Sequence, residues 1–140
     1  MNPSGITESE AAQILGQPLP APRTLPLGLS RSAIAADPVE NNPTLAALGP
    51  RHVRESFAVG GKDVVLLIVN RGQLGRILDP GVSTAVLGGR SMIIASHQIW
   101  DGSTDVAYNW ETDGLALTMH VNLVSGLTRT LSDQIAASVR

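Results

Sequence analysis

The three histidines, His52, His97 and His120, are the side chains best suited to proton transfer or metal ligation near neutral pH. They stand singly. No H-x-x-x-H or H-E-x-x-H pair puts two of them on one helix face, so a helical metal site is excluded. His52 and His120 fall on the polar sides of their strands, where a surface histidine is the simpler account. Glu55 is the odd carboxylate, because alternation sets it on the apolar side with Val53 and Phe57. A buried glutamate has a raised pKa and can act as a general acid. An edge position, or a partner such as Arg54 or Arg71, explains it more simply. A small enzyme would require a polar pocket joining at least two of His52, Glu55, His97 and His120.

Other motifs are weaker. Asp101, Ser103 and Asp105 alternate like the start of a calcium loop, but neither the sixth-position glycine nor the twelfth-position glutamate follows. Gly60-Gly61-Lys62 lacks the spacing of a phosphate loop and reads as a turn, and there is no G-x-S-x-G elbow. The absence of cysteine excludes disulfides, thiolate zinc and cysteine nucleophiles. A net charge of -2, with no run of either sign, argues against nucleic acid. Aromatics make up 3%, too few for a sugar-binding or base-stacking platform. Neither a catalytic residue, a metal nor a cofactor is expected.

The elements that would position these residues are legible. Thr7-Glu8-Ser9-Glu10 is a capping box and Gly16 a left-handed stop, which predicts a helix over 8–15. Pro18, Pro20, Pro22 and Pro26 make 17–28 an extended strap, with leucines between the prolines to lie on an apolar surface. A strand is expected over Leu29–Ala35 and a loop over Asp37–Pro50, with a helical turn at Thr44–Leu48. Three hairpins follow. The first turns at Gly60-Gly61, placing Phe57 opposite Val64 and Val53 opposite Ile68. After a loop at Arg71–Gly81, the second joins Val82–Leu87 to Arg90–Ser96 through Gly88-Gly89. His97–Ser103 is a loop or an irregular strand end.

The third joins Thr104–Glu111 to Leu115–Leu123 through Asp113-Gly114, a type I′ signal. It pairs Trp110 with Leu117, Tyr108 with Met119 and Val106 with Val121 on one apolar face. Ala107, Asn109, Glu111, Thr118, His120 and Asn122 take the other. A helix over 128–139, capped by Thr128, carries Leu131, Ile135, Ala136 and Val139 on one side.

The sum is one α+β domain over 1–140: an antiparallel, meander-like sheet spanning 29–123, with both terminal helices packed on one face. The longest purely apolar run, Val64–Val69, is far short of the ~20 residues a bilayer crossing needs. Nothing near Met1 reads as a signal peptide. A cytosolic protein and the soluble part of a longer chain with an upstream anchor both fit.

Three separated features then line up. Thr7-Glu8-Ser9-Glu10-Ala11-Ala12 leads into Pro22-Arg23-Thr24-Leu25-Pro26-Leu27-Gly28; Tyr108-Asn109-Trp110-Glu111-Thr112-Asp113-Gly114 comes later; Ala136-Ala137-Ser138-Val139 closes the chain. This order resembles a bacterial extracytoplasmic domain of unknown function that follows the membrane helix of anti-sigma factors and occurs in surface lipoproteins. In outline it is also similar to the sigma-E regulator and lipoprotein-carrier group. The resemblance implies a non-enzymatic sensor or protein-interaction domain in the cell envelope. It carries over no functional residue, because its motifs are a cap, a strap and a turn. The alternative it implies is a carrier for a small apolar or lipid ligand, with Tyr108, Trp110, Leu117 and Met119 lining the cavity.

Overall fold

The chain folds as one open antiparallel sheet of seven strands with a helix near each end, described here from a computed structural model covering residues 5–36, 52–72, 82–124 and 126–140. The expected helical turn at 44–48, and most of the two expected loops around it and at 71–81, lie outside the described residues.

Helix α1 (Glu8–Leu15) carries the full capping box and ends at Gly16 with φ 76°. Residues 18–25 belong to no helix or strand and bend at Arg23. Ala21 and Arg140 exchange backbone hydrogen bonds at 3.1 Å, and Pro22 bridges to Val139, so the strap is tied to the C-terminus. A 3₁₀ turn at Pro26–Gly28 leads into β1 (Ser30–Ala36). The remaining strands are β2 (His52–Val59), β3 (Lys62–Arg71), β4 (Val82–Leu87), β5 (Arg90–Gln98), β6 (Thr104–Thr112) and β7 (Leu115–Leu123). His97 and Gln98 therefore form the end of β5, the strand-end alternative for 97–103, and the loop begins at Ile99. Helix α2 (Arg129–Ala137) starts at Thr128, whose hydroxyl accepts from the Leu131 amide. It ends two residues earlier than expected, leaving Val139 buried beside the strap rather than on a helix face.

Strand order is β1-β2-β3-β7-β6-β5-β4. Two meanders meet at the β3–β7 pair, where Val65 faces Val121, Leu67 faces Met119 and Val69 faces Leu117. The β6–β7 register matches the expected one at Trp110–Leu117, Tyr108–Met119 and Val106–Val121. Asp113 and Gly114 both have positive φ, as type I′ requires. The β2–β3 register does not match. Phe57 faces Val65 and Val53 faces Val69, because a register shift after Phe57 leaves Val64 as the extra residue. The shift aligns Val53, Glu55 and Phe57 with Val65, Leu67 and Val69, the set that continues into β7.

One core results. The inward residues of β2, β3, β5, β6 and β7 join Ala11 and Leu15 of α1 and Ile135 and Ala136 of α2 in a single cluster. The opposite face, where Leu66, Ile68, Thr118 and His120 stand half-buried, is the wet face.

Candidate functional site

Alternation along the central strands decides which polar side chains reach the wet face. A row crosses the sheet from Ser56 through Leu66 and His120 to Ala107. The adjoining row runs from Arg54 through Ile68 and Thr118 to Asn109. These rows and their neighbours enclose a groove of about 560 Å³, with Arg54, Ser56, Asp63, Asp105, His120 and Asn122 as its polar lining. Its size lies within the ~300–1,000 Å³ of ordinary ligand sites.

The groove is internally organised. His120 Nδ1 lies 2.9 Å from Asp105 Oδ2, a contact that orients the ring and holds the proton on Nδ1 in the neutral imidazole. Ser32 donates to Asp63 Oδ1 at 2.7 Å from the neighbouring edge strand. Asn122 Nδ2 donates to Ser103 Oγ at 2.9 Å, which ties the groove to the β5–β6 loop. An Asp–His pair can serve as a general base. However, Ser56, the hydroxyl in its row, stands across Leu66 at roughly twice the ~4.8 Å strand spacing, beyond hydrogen-bond reach of the ring. Among the described residues, no group of three or more His, Cys, Asp or Glu side chains could hold a metal ion.

Of the four residues whose convergence would signal an enzyme, only His120 lines this groove. Glu55 faces the opposite side of the sheet and is completely buried. It is not at an edge, and it forms an ion pair with Arg31: Arg31 Nη1 sits 3.3 Å from Glu55 Oε1, and the same guanidinium also pairs with Glu8 at the start of α1. A bulge in β1 makes this possible. Register shifts between Arg31 and Ala33, so Arg31 faces inward opposite Phe57 while Ser32 reaches Asp63 on the wet face. Glu55 Oε2 is buried without a hydrogen-bond partner. Desolvation pushes its carboxyl up to about 7, against the opposing pull of Arg31.

The four residues expected to line a ligand cavity, Tyr108, Trp110, Leu117 and Met119, are each 0–1% exposed in the core. The Tyr108 hydroxyl donates to Asp133 at 2.6 Å and lies 2.7 Å from Ser132 Oγ on α2, and burial first, then Asp133, raises its pKa. The Arg90 guanidinium stacks 5.7 Å from the Trp110 ring centre. Leu117 borders a cavity of about 300 Å³ together with Pro20, Arg90, Val139 and Arg140.

The residue that sequence reasoning missed is Trp100, 96% exposed on the β5–β6 loop. Its signal was available: a tryptophan in Ile99-Trp100-Asp101-Gly102-Ser103, outside any alternating run. The Ile99 amide donates to the Ser103 carbonyl and the Gly102 amide to the Ile99 carbonyl, both at 2.9 Å. Asp101 accepts from the Ser103 amide and hydroxyl, which holds its carboxyl below the usual range.

No family model, curated protein or solved structure matches this chain.

Proposed function

We propose that this domain is a non-enzymatic sensor or interaction domain that engages its ligand or partner on the wet face of the sheet. The observation that carries the reading is the groove of about 560 Å³ with six polar side chains converging on it. The core face is filled by two helices, whereas the wet face offers donors and acceptors held by the rigid strands. The Asp105–His120 pair serves here to fix a recognition group, with the Ser56 hydroxyl of its row a strand away across Leu66. By the sequence resemblance, the domain works in the cell envelope as the receiving part of a membrane-anchored regulator of the anti-sigma kind.

A second reading, a carrier for a small apolar ligand, draws on the cavity of about 300 Å³ bordered by Leu117. Two measurements separate the readings. Amide shift mapping with a small-molecule fragment library is expected to cluster the perturbed residues at Arg54, Ser56, His120 and Asn122. Organic extraction and mass spectrometry of the purified protein is expected to find no lipid. Perturbations at Tyr108, Leu117 and Met119 together with a co-purifying lipid would transfer the function to the core.

A further inference from the structure

We propose that the groove and the Trp100 loop form one continuous site for a neutral glycan chain. The inference rests on the wet face being the binding surface and names the chemistry that surface recognises.

Trp100 does nothing for its own fold. Tyr108, Trp110 and Phe57 are buried, whereas Trp100 is 96% exposed, so although the chain has too few aromatics for an extended platform, one indole is open to stack on a ligand. The loop beneath it is cross-braced at Ile99, Asp101, Gly102 and Ser103, so the indole is presented by an ordered backbone. An ordered loop loses less freedom when a ligand docks. It is also continuous with the groove, because Ser103 Oγ accepts from Asn122 and Asp105 follows two residues later.

The lining narrows the ligand. Arg54, Asp63, Asp105, His120 and Asn122 present planar groups that include both donors and acceptors. Two carboxylates beside one guanidinium disfavour phosphates and polyanions. The same carboxylates, with Asp101 next to Trp100, disfavour an anionic lipid surface. β2, β3, β7 and β6 are each paired on both sides, so no strand edge in the groove is open to an added peptide strand. A hydroxyl-rich ligand satisfies what remains. Each sugar hydroxyl donates and accepts, and the positively polarised C–H face of a sugar ring packs on the negative face of an indole.

The test is an intrinsic-fluorescence titration with cellohexaose, maltohexaose and chitohexaose, using Trp110 as the buried internal reference. At least one is expected to shift the emission to shorter wavelength, with a Kd below about 1 mM. Trp100→Ala is expected to weaken that binding at least about tenfold by calorimetry and Trp100→Phe to restore part of it, while Ser56→Arg blocks it from the groove side. No binding of any of the three sugars by wild type, or equal binding by wild type and Trp100→Ala, overturns the proposal. So does Trp100-dependent sedimentation with phosphatidylglycerol vesicles, which would make the loop a membrane contact. If the sugars fail while fragment shifts still cluster at Ser56 and His120, the glycan class alone falls. If the fragments also map elsewhere, the wet-face reading falls with it.

Discussion

Glu55→Gln isolates the most unusual energetic feature of the fold. In the folded chain the carboxyl is buried between α1 and the sheet, with one oxygen on Arg31 and the other unpartnered. Its pKa is raised from 4.5 to about 7, chiefly by desolvation. The folded state therefore holds a proton between those values that the unfolded chain has released. Stability from this group is fully present below pH 4.5 and is lost as pH rises through about 7. At ~1.4 kcal/mol per tenfold, the whole span is worth about 3 kcal/mol, of which roughly 2–3 kcal/mol falls between pH 5 and 8. Glutamine keeps the shape and cannot ionise. Urea unfolding of wild type and Glu55→Gln at both pH values is the assay, and subtracting one from the other cancels the remaining carboxylates. The variant is expected to match wild type within about 1 kcal/mol at pH 5 and to exceed it by roughly 2 kcal/mol at pH 8, a midpoint shift of about 1 M in urea. Parallel stability curves from pH 5 to 8 would refute the reasoning, because they would mean that Arg31 already holds the carboxylate ionised at pH 5.

Arg31→Met should leave stability at pH 5 nearly unchanged but cost about 3 kcal/mol at pH 8, where it strands a buried carboxylate; the same urea curves check it. Gly88→Ala should destabilise the fold by roughly 1–3 kcal/mol in a thermal melt, since φ is +60° and a methyl there would meet the Ala137 carbonyl oxygen at 2.3 Å. Tyr108→Phe removes the hydroxyl joining β6 to Ser132 and Asp133 and should cost about 1–2 kcal/mol, with faster amide exchange in α2 as the readout. Thr7→Ala should cost about 1 kcal/mol through loss of the Glu10 amide bond, read as early fraying of α1 by amide exchange.

How much the sequence reveals depends on whether the two faces of an element differ in polarity. In β6 and β7 they do: Tyr108 and Trp110 alternate with Asn109 and Glu111, and the Asp113-Gly114 turn sets the phase, so pairing and core face could both be read in advance. In β3 they do not. Val64, Leu66 and Ile68 are as apolar as Val65, Leu67 and Val69, so alternation offers no phase, and the extra residue at Val64 moves the register by one. The β3–β7 pair that selects the phase is a long-range contact with no local signature. Glu55 stood out because it broke a pattern. Its partner did not, because Arg31 reaches the core only through a bulge in an edge strand that no glycine marks.

The same asymmetry explains why the proposed binding surface was harder to read than the core. Core positions repeat with the period of their strand, and each is constrained by the residue opposite it. A recognition surface needs only that a few polar groups converge after folding. Asp105 and His120 share the β6–β7 hairpin, but Arg54 comes from β2, and nothing in the spacing links it to the other two. Trp100 is informative for the opposite reason. The strands on either side of it are satisfied by their own pairing, and its loop closes through backbone and Asp101 hydrogen bonds that an alanine at position 100 would leave intact. Since folding does not require an indole there, its presence points to a contact outside the fold, and replacing it should change binding while leaving stability within about 0.5 kcal/mol of wild type.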